Sequence, residues 1–400
     1  MRGGYLLGQG AYGCVFKPSV PCSNELNRRP GVSKVLFGED SFDDEYEANK
    51  RVRRIDPKGV FTNPITHSCN IDEDVLHKEY GFSKCIVKKQ ASPYYNLIFE
   101  HSGIDMNAFF ETDYDISNRS LHTNVLELCK GVHKMVRMSV VHLDIKPANI
   151  LKTENKLIFI DFGLSSILKD IYSDDKSYIT TYTYDAYPPE FKLYWAFVKL
   201  VSRLPTYSNS VPNLKTLMIS SFVIGKKCRW QDNYDRNTKK YENVGIYATK
   251  MQTQVDAFID TMIDRIAKTY KRKGSFNVKD LKAIFDSFAS KVDVFSLGSV
   301  LLKMYYYADL GGFTKSQQKD LIRIITRMVD MNVYTRYTTK ELVKDYTQFV
   351  TTLGSSKRTV EGCLKDYKLA DLKKIAKENN RAVSGKKEIV CKRIMDLLHT

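Results

Sequence analysis

Residues 140–151 read Val-Val-His-Leu-Asp-Ile-Lys-Pro-Ala-Asn-Ile-Leu, and Phe159-Ile-Asp161-Phe-Gly163-Leu follows shortly after. Few folds have a use for so dense a set of acid, amide and cation in one short stretch. The set suits transfer of a phosphoryl group, which asks for metal ions against phosphates, a base that orients the acceptor, and positive charge. Asp144 suits the base and Lys146 the charge. Asn149 and Asp161 offer hard oxygen ligands for Mg²⁺. His142 would buttress the loop, and Gly163 would permit the turn after the metal ligand.

The N-terminal segment offers a partner for such a site. Residues 5–17, Tyr-Leu-Leu-Gly-Gln-Gly-Ala-Tyr-Gly-Cys-Val-Phe-Lys, place Gly8, Gly10 and Gly13 in a Gly-x-Gly-x-x-Gly run between Leu7 and Val15. Glycines let backbone N–H groups close over phosphates without a Cβ in the way. The same spacing also opens dinucleotide-binding folds, where it joins a strand to a helix. Here Cys14-Val-Phe-Lys17 reads as a second strand, which favours a hairpin lid. Lys34, alone among apolar neighbours in Gly31-Val-Ser-Lys-Val-Leu-Phe37, is the candidate for gripping phosphates. A helix should follow and supply its carboxylate. Glu45, Ala48, Val52 and Ile55 share one helical face, which favours Glu45 over Glu47.

Over roughly residues 5–350 these motifs resemble the eukaryotic-type protein kinase family. The resemblance implies an α+β, two-lobed fold: an antiparallel N-lobe over 1–102 and a helical C-lobe over 103–353. It implies ATP with Mg²⁺, or Mn²⁺, as cofactors. Tyr95-Asn-Leu-Ile-Phe-Glu100-His-Ser-Gly-Ile-Asp105 is similar to the kinase hinge. By that likeness Phe99 is the gatekeeper, Glu100 to Ser102 the adenine strip, and Asp105 the ribose contact. Tyr187-Pro-Pro-Glu190 looks like the Ala-Pro-Glu element, Asp293 like the buried aspartate of the C-lobe, and Arg336 like the partner of Glu190. Lys146 and Thr183 match the serine/threonine pattern, so the expected substrate is a protein hydroxyl on Ser or Thr. Two other readings remain: a kinase of small molecules, and an inactive kinase-fold scaffold, against which the retention of Lys34, Asp144, Asn149 and Asp161 argues.

One departure matters. The family's His-Arg-Asp is His142-Leu143-Asp144 here, so a phosphate on the activation segment would lack its usual anchor. Activity is therefore expected not to need phosphorylation at Thr180, Thr181, Thr183 or Tyr184.

Between Glu190 and Asp293 the family has a short stretch, and this chain has about a hundred residues, an insertion over about 191–291. Apolar spacing predicts helices over Met251–Tyr270 and Val278–Phe288, with a polar loop over Arg203–Asn243. The charge is uneven: residues 191–291 hold 19 Lys and Arg against 8 Asp and Glu, and residues 355–400 hold 12 against 6. After a linker at 354–360, residues 361–400 read as two amphipathic helices joined around Ser384-Gly385-Lys386-Lys387. They resemble the SAP helix-loop-helix module, which implies DNA as a partner, with phosphate contacts from Lys386, Lys387 and Arg393. The eight cysteines contain no Cys-x-x-Cys pair, and reduced thiols are the expectation. No apolar run approaches a membrane span, and the N-terminus lacks the pattern of a secretory signal. An intracellular, cytoplasmic location is expected. Divergent kinases with long insertions resemble those of large DNA viruses, for which that place would be a host cytoplasm or a virion.

Overall fold

Short apolar runs separated by glycine, proline and asparagine favour strands over helices, and five such runs in the first hundred residues pair with one another. In the computed structural model these are β1 (Tyr5–Gln9), β2 (Gly13–Lys17), β3 (Val32–Phe37), β4 (Ile65–Ile71) and β5 (Tyr94–Phe99). They form one antiparallel sheet in the order β1-β2-β3-β5-β4. The structure describes residues 3–10, 13–23, 25, 27–85, 93–112, 114–172, 187–202, 242–308, 310, 312–355, 368–378 and 381–394. Thr180, Thr181, Thr183, Tyr184 and the expected loop up to residue 241 lie outside them.

Helix α1 (Glu39–Ile55) crosses beside the sheet, with acids in its first turn and arginines in its last, matching the helix dipole. Glu45, Ala48, Asn49, Val52 and Ile55 are its buried residues, and Glu47 pairs with Lys50 at the surface. Of the two acids, Glu45 is the one on the buried face. A short helix α2 (Glu73–His77) follows β4.

The second lobe starts at β6 (Ile104–Asp105), with α3 (Met106–Phe110) and α4 (Arg119–Arg137). Then come β7 (Val140–Val141), β8 (Ile150–Lys152), β9 (Leu157–Phe159) and β10 (Ser166–Ile167). Helices α5 (Pro189–Val201), α6 (Glu242–Lys273), α7 (Val278–Asp286), α8 (Val292–Tyr307), α9 (Lys315–Met328) and α10 (Thr339–Ser355) complete it. Capping boxes at Asn277/Asp280 and Thr314/Gln317 start α7 and α9, each worth about 1 kcal/mol. Two short helices close the described chain, α11 (Leu369–Glu378) and α12 (Lys387–Ile394), around a small core of Leu372, Ala376, Val390, Cys391 and Ile394.

The largest core joins the lobes: Ala48, Val52 and Ile55 of α1 share one apolar cluster with α4, α8, α9 and α10. Phe61 carries this contact across, accepting the Phe159 N–H at its carbonyl and lying against Gly131, where a Cβ would sit 2.5 Å from its ring. A second cluster in the C-lobe holds Leu143, Tyr172, Tyr187 and Phe191 together with Phe258, Ile259 and Met262 of α6.

The insertion departs from expectation in extent. Its first helix begins two residues before Phe191, at Pro189, and its long helix reaches from Glu242 to Lys273 where apolar spacing marked only Met251–Tyr270. The polar ends escaped a periodicity read on apolar residues. The cysteines are a correction too. Cys14 pairs with Cys85 and Cys22 with Cys69, and Cys391 is also in a disulfide, while Cys129 remains a buried thiol. Sequence spacing cannot see pairs that the sheet brings to Cα separations of 6.2 and 5.9 Å, within disulfide range.

His122, inside the large core, gives the fold a pH dependence. Its Nε2 donates to the Ile116 carbonyl at 2.6 Å and its Nδ1 accepts from the Tyr346 hydroxyl at 2.7 Å. Burial pulls its pKa down to about 4. The folded value lies below the unfolded one, so the stabilisation is present above pH about 6.5 and is lost as pH falls towards 4, on the order of 3 kcal/mol. His122→Gln is expected to flatten the dependence of the urea midpoint on pH across that window. An unaltered slope would remove His122 from the account.

Candidate active site

Glycine at three positions of one hairpin has two different causes. The Gly10 N–H donates to the Gly13 carbonyl at 2.9 Å, and Gln9 pairs with Cys14, so β1 and β2 form the expected hairpin, with an irregularity at Leu7. A Cβ on Gly13 would run into the Val35 carbonyl oxygen, so packing against β3 demands glycine there. At Gly8 and Gly10 a Cβ would meet nothing within 4 Å. Packing does not require glycine at these two positions, which leaves the backbone there open to close approach. Val15 pairs with Lys34 across the sheet, and Leu7 is 46% exposed at the rim.

Lys34 Nζ lies 2.7 Å from Glu45 Oε2 and 3.1 Å from Asp161 Oδ1. Burial works against its charge, yet the Glu45 and Asp161 carboxylates hold its pKa above the ordinary lysine value. Asp161 is held below the usual carboxylate range by Lys34, against the opposing effect of burial. Its backbone sits at φ 62°, a conformation that a non-glycine residue adopts only where its surroundings enforce it. Glu45 Oε1 is buried without a hydrogen-bond partner.

Facing this trio, β7 delivers His142, Leu143 and Asp144. Asp144 Oδ2 accepts from Lys146 Nζ at 2.9 Å and from Asn149 Nδ2 at 2.6 Å. Burial raises the Asp144 carboxyl above its ordinary pKa, with Lys146 opposing. Because Asn149 spends its amide protons on Asp144, its carbonyl oxygen is the atom it can present to a metal. Asp161, with 42% of its side chain exposed, offers a carboxylate as well. This donor set, oxygen from one amide and one acid, fits a hard cation such as Mg²⁺.

The loop is held from below. The His142 and Leu143 N–H groups donate to Asp293 at 2.6 and 3.0 Å, and burial pushes the Asp293 pKa up to about 6 despite those bonds. His142 Nε2 donates to the Ile160 carbonyl at 3.1 Å, its Nδ1 accepts from the Asp144 N–H at 3.3 Å, and its ring lies 4.5 Å from that of Phe162. Burial keeps it neutral, with a pKa near 4. Leu143 itself is fully buried at φ 64° among Ile171, Tyr172, Tyr187 and Phe191. Where an arginine would offer a charge, this chain has apolar packing. Glu190 and Arg336, both fully buried, form a two-pronged ion pair at 2.5 and 2.9 Å.

The hinge carries two residues that sequence reading missed. Asn63 donates to the His101 carbonyl at 2.8 Å and accepts its N–H at 2.9 Å, and Lys17 Nζ donates to Ser102 Oγ at 2.7 Å. Nothing in the local sequence marks either. Phe99 ends β5, and Glu100 exposes 55% of its side chain beside His101. Asp105 accepts from the Asn107 and Ala108 N–H groups as the cap of α3, so its Oδ1 already serves the helix. Arg393 Nη1 donates to the Ala382 and Ser384 carbonyls, closing the loop between α11 and α12. Lys386 is exposed, and Lys387 starts α12 half-buried. Among the described residues no helix is long and apolar enough to cross a membrane.

Residues 3–191 match the model of the protein kinase domain. A mitogen-activated protein kinase 15 of Mus musculus is 29% identical over 41% of this chain and 27% of its own length. A mitogen-activated protein kinase 14 of Arabidopsis thaliana is 22% identical over 58% of this chain and 62% of its own. The dual specificity protein kinase Ttk of Danio rerio is 33% identical over 32% of this chain and 13% of its own. The chain thus spans less than two thirds of each of these relatives. The antiparallel sheet of the first lobe and the helical second lobe fit the two-lobed fold of the matched domain.

Proposed function

We propose, from the protein kinase domain matched by residues 3–191, that this chain transfers the γ-phosphoryl group of ATP to serine or threonine hydroxyls of proteins. The observation that carries the proposal is the convergence of Lys34 and Glu45 from the N-lobe with Asp144, Lys146, Asn149 and Asp161 from the second lobe, joined by the Lys34–Asp161 pair. ATP with Mg²⁺, or Mn²⁺, would supply the transferable phosphoryl group. Lys34, fixed by Glu45, grips the α- and β-phosphates, and the hairpin of Gly8, Gly10 and Gly13 covers them with backbone N–H groups. Asn149 and Asp161 hold the metal. Asp144 orients the acceptor hydroxyl and accepts its proton, while Lys146 offsets charge on the transferring group. Glu100 and Ser102 meet adenine through their backbones, since Asn63 already occupies both backbone groups of His101. Leu7 and Val15 would enclose the base, and Asp105 would meet the ribose.

Lys146 and Thr183 support a Ser/Thr acceptor. Incubating the full chain with labelled ATP, Mg²⁺ and a generic basic protein should label phosphoserine or phosphothreonine, and Asp161→Asn should not. Label confined to small molecules, or absent with both proteins, would refute the reading.

Leu143 supports activity without phosphorylation of the activation segment, because apolar packing of Ile171, Tyr172 and Tyr187 fixes the segment's two ends where an arginine–phosphate pair otherwise would. Phosphatase treatment, or alanine at both Thr180 and Thr181, is expected to leave turnover unchanged; loss of turnover would remove this idea.

The same proposal extends to the basic C-terminal helices, α11 and α12, as a SAP-like element that holds DNA phosphates through Lys386 and Lys387. Arg393, whose Nη1 braces the loop through the Ala382 and Ser384 carbonyls, would add its remaining N–H groups to that contact. A gel shift with the full chain should show binding that weakens steeply between about 50 and 200 mM salt, and Lys386→Ala with Lys387→Ala should abolish it. Equal binding by that variant would sink the claim. The long insertion is the feature that supports a likeness to kinases of large DNA viruses.

A further inference from the structure

Of the two disulfides in the N-lobe, one lies in wholly apolar surroundings and the other does not. Cys14 and Cys85, at 0% and 1% exposure, sit in the core with Phe16, Phe37 and Phe82, a setting that offers no ligand to any ion. Cys22 and Cys69 sit at the sheet edge, where β4 is the outermost strand. His67 and Cys69 are two apart on that strand and so project to the same side. The Cys22 and Cys69 sulfurs and a His67 ring nitrogen all lie within 4.8 Å of one another. Glu25 Oε1 lies 3.9 Å from His67 Nε2 and accepts from Arg29 Nη2, so it neighbours the three donors without joining them.

The loop that brings Cys22 and Glu25 here is held to the strand. The Ser23 N–H and hydroxyl both donate to the Asn70 carbonyl at 3.2 Å, and the Glu25 N–H donates to the Cys22 carbonyl at 2.9 Å. Arg29 donates through Nε to Glu25 Oε2 at 3.0 Å and through Nη2 to Oε1, fixing the carboxylate beside the His67 ring. The His67 and Glu25 side chains are 32% and 29% exposed, so an ion from solution can reach them.

We propose that this cluster is a redox-gated zinc site, with the Cys22 and Cys69 thiolates and the His67 imidazole as ligands and a water from the exposed side as the fourth. A structural cross-link needs no imidazole beside it, whereas a tetrahedral zinc ion uses both thiolates and the imidazole and takes water at its open position. Zn–S bonds of about 2.3 Å place two tetrahedral ligand sulfurs roughly 3.7 Å apart, and the present Cα separation of 5.9 Å serves either state. The exchange balances. The disulfide takes two electrons and two protons from a dithiol, which becomes a disulfide itself, and the S–S bond breaks to give two thiols. Zinc then displaces both thiol protons as two Zn–S bonds form. The site lies in the N-lobe outside the phosphate cleft, and the proposal stands independently of the kinase reading.

The full chain, reduced with a phosphine, loaded with zinc and desalted, is expected to retain one equivalent by elemental analysis, and to lose it after oxidation to the disulfide form. Cys69→Ser and His67→Asn should each abolish retention, and Cys14→Ser should not. Cobalt loading of the unsubstituted reduced chain gives a check that needs no variant: tetrahedral d–d bands with thiolate-to-cobalt charge transfer are expected. No metal in the reduced chain, equal metal in the oxidised chain or in both ligand variants, or an octahedral cobalt spectrum without charge transfer would each overturn the proposal.

Discussion

Asp144→Asn is expected to lower the rate of phosphoryl transfer by about 10²–10⁴-fold while leaving the KM for ATP nearly unchanged. The substitution keeps the shape and removes the group that takes the proton. It also leaves Lys146 and Asn149 Nδ2, which now donate to Asp144 Oδ2, facing a neutral amide. A pH profile adds a second readout. Burial raises the Asp144 carboxyl above the ordinary aspartate value, and a base works only when unprotonated, so kcat should fall as pH drops through that raised value. The asparagine variant should lack this acidic limb. A variant rate within about tenfold of the parent would mean that Asp144 only positions the acceptor.

The next largest effect should come from Glu190 and Arg336. Both are fully buried, the guanidinium also donates through Nε to the Asp330 carbonyl at 2.9 Å, and it lies 4.9 Å from the Phe295 ring. Removing one partner strands the other charge away from water, so Glu190→Ala or Arg336→Ala should cost about 3–5 kcal/mol. Replacing both, as Glu190→Leu with Arg336→Met, should cost less than either single change, because no orphaned charge remains. Urea midpoints of the three variants test this. A single-variant loss under about 1 kcal/mol would show that water reaches the pair.

These two sites differ in how they could be read beforehand. Asp144, Lys146 and Asn149 lie within six residues, so their proximity follows from one loop, and chain order alone exposes the chemistry. Glu190 and Arg336 are 146 residues apart, and only likeness to a family joined them. Asn63, which clasps His101, had no such help: an asparagine before a proline reads as a turn, and its partner lies across β4 and β5. The cysteines failed for a similar reason. Separations of 71 and 47 residues become neighbours through a sheet order in which β4 lies outside β5, a fact of topology that spacing does not hold. The α1 face succeeded because a helix repeats its own geometry, and Glu45 needed only that repeat.

The apolar cluster in which α6 meets Tyr187 and Phe191 bears on how such a chain can change length. Phe258, Ile259 and Met262 are buried against the same residues that support Glu190 and Leu143, so the added segment is keystone rather than ornament. Cutting α6 out would leave an apolar wound where Leu143, Tyr187 and Phe191 now close against it, so a shortened chain would lose part of the floor under residues 142–144.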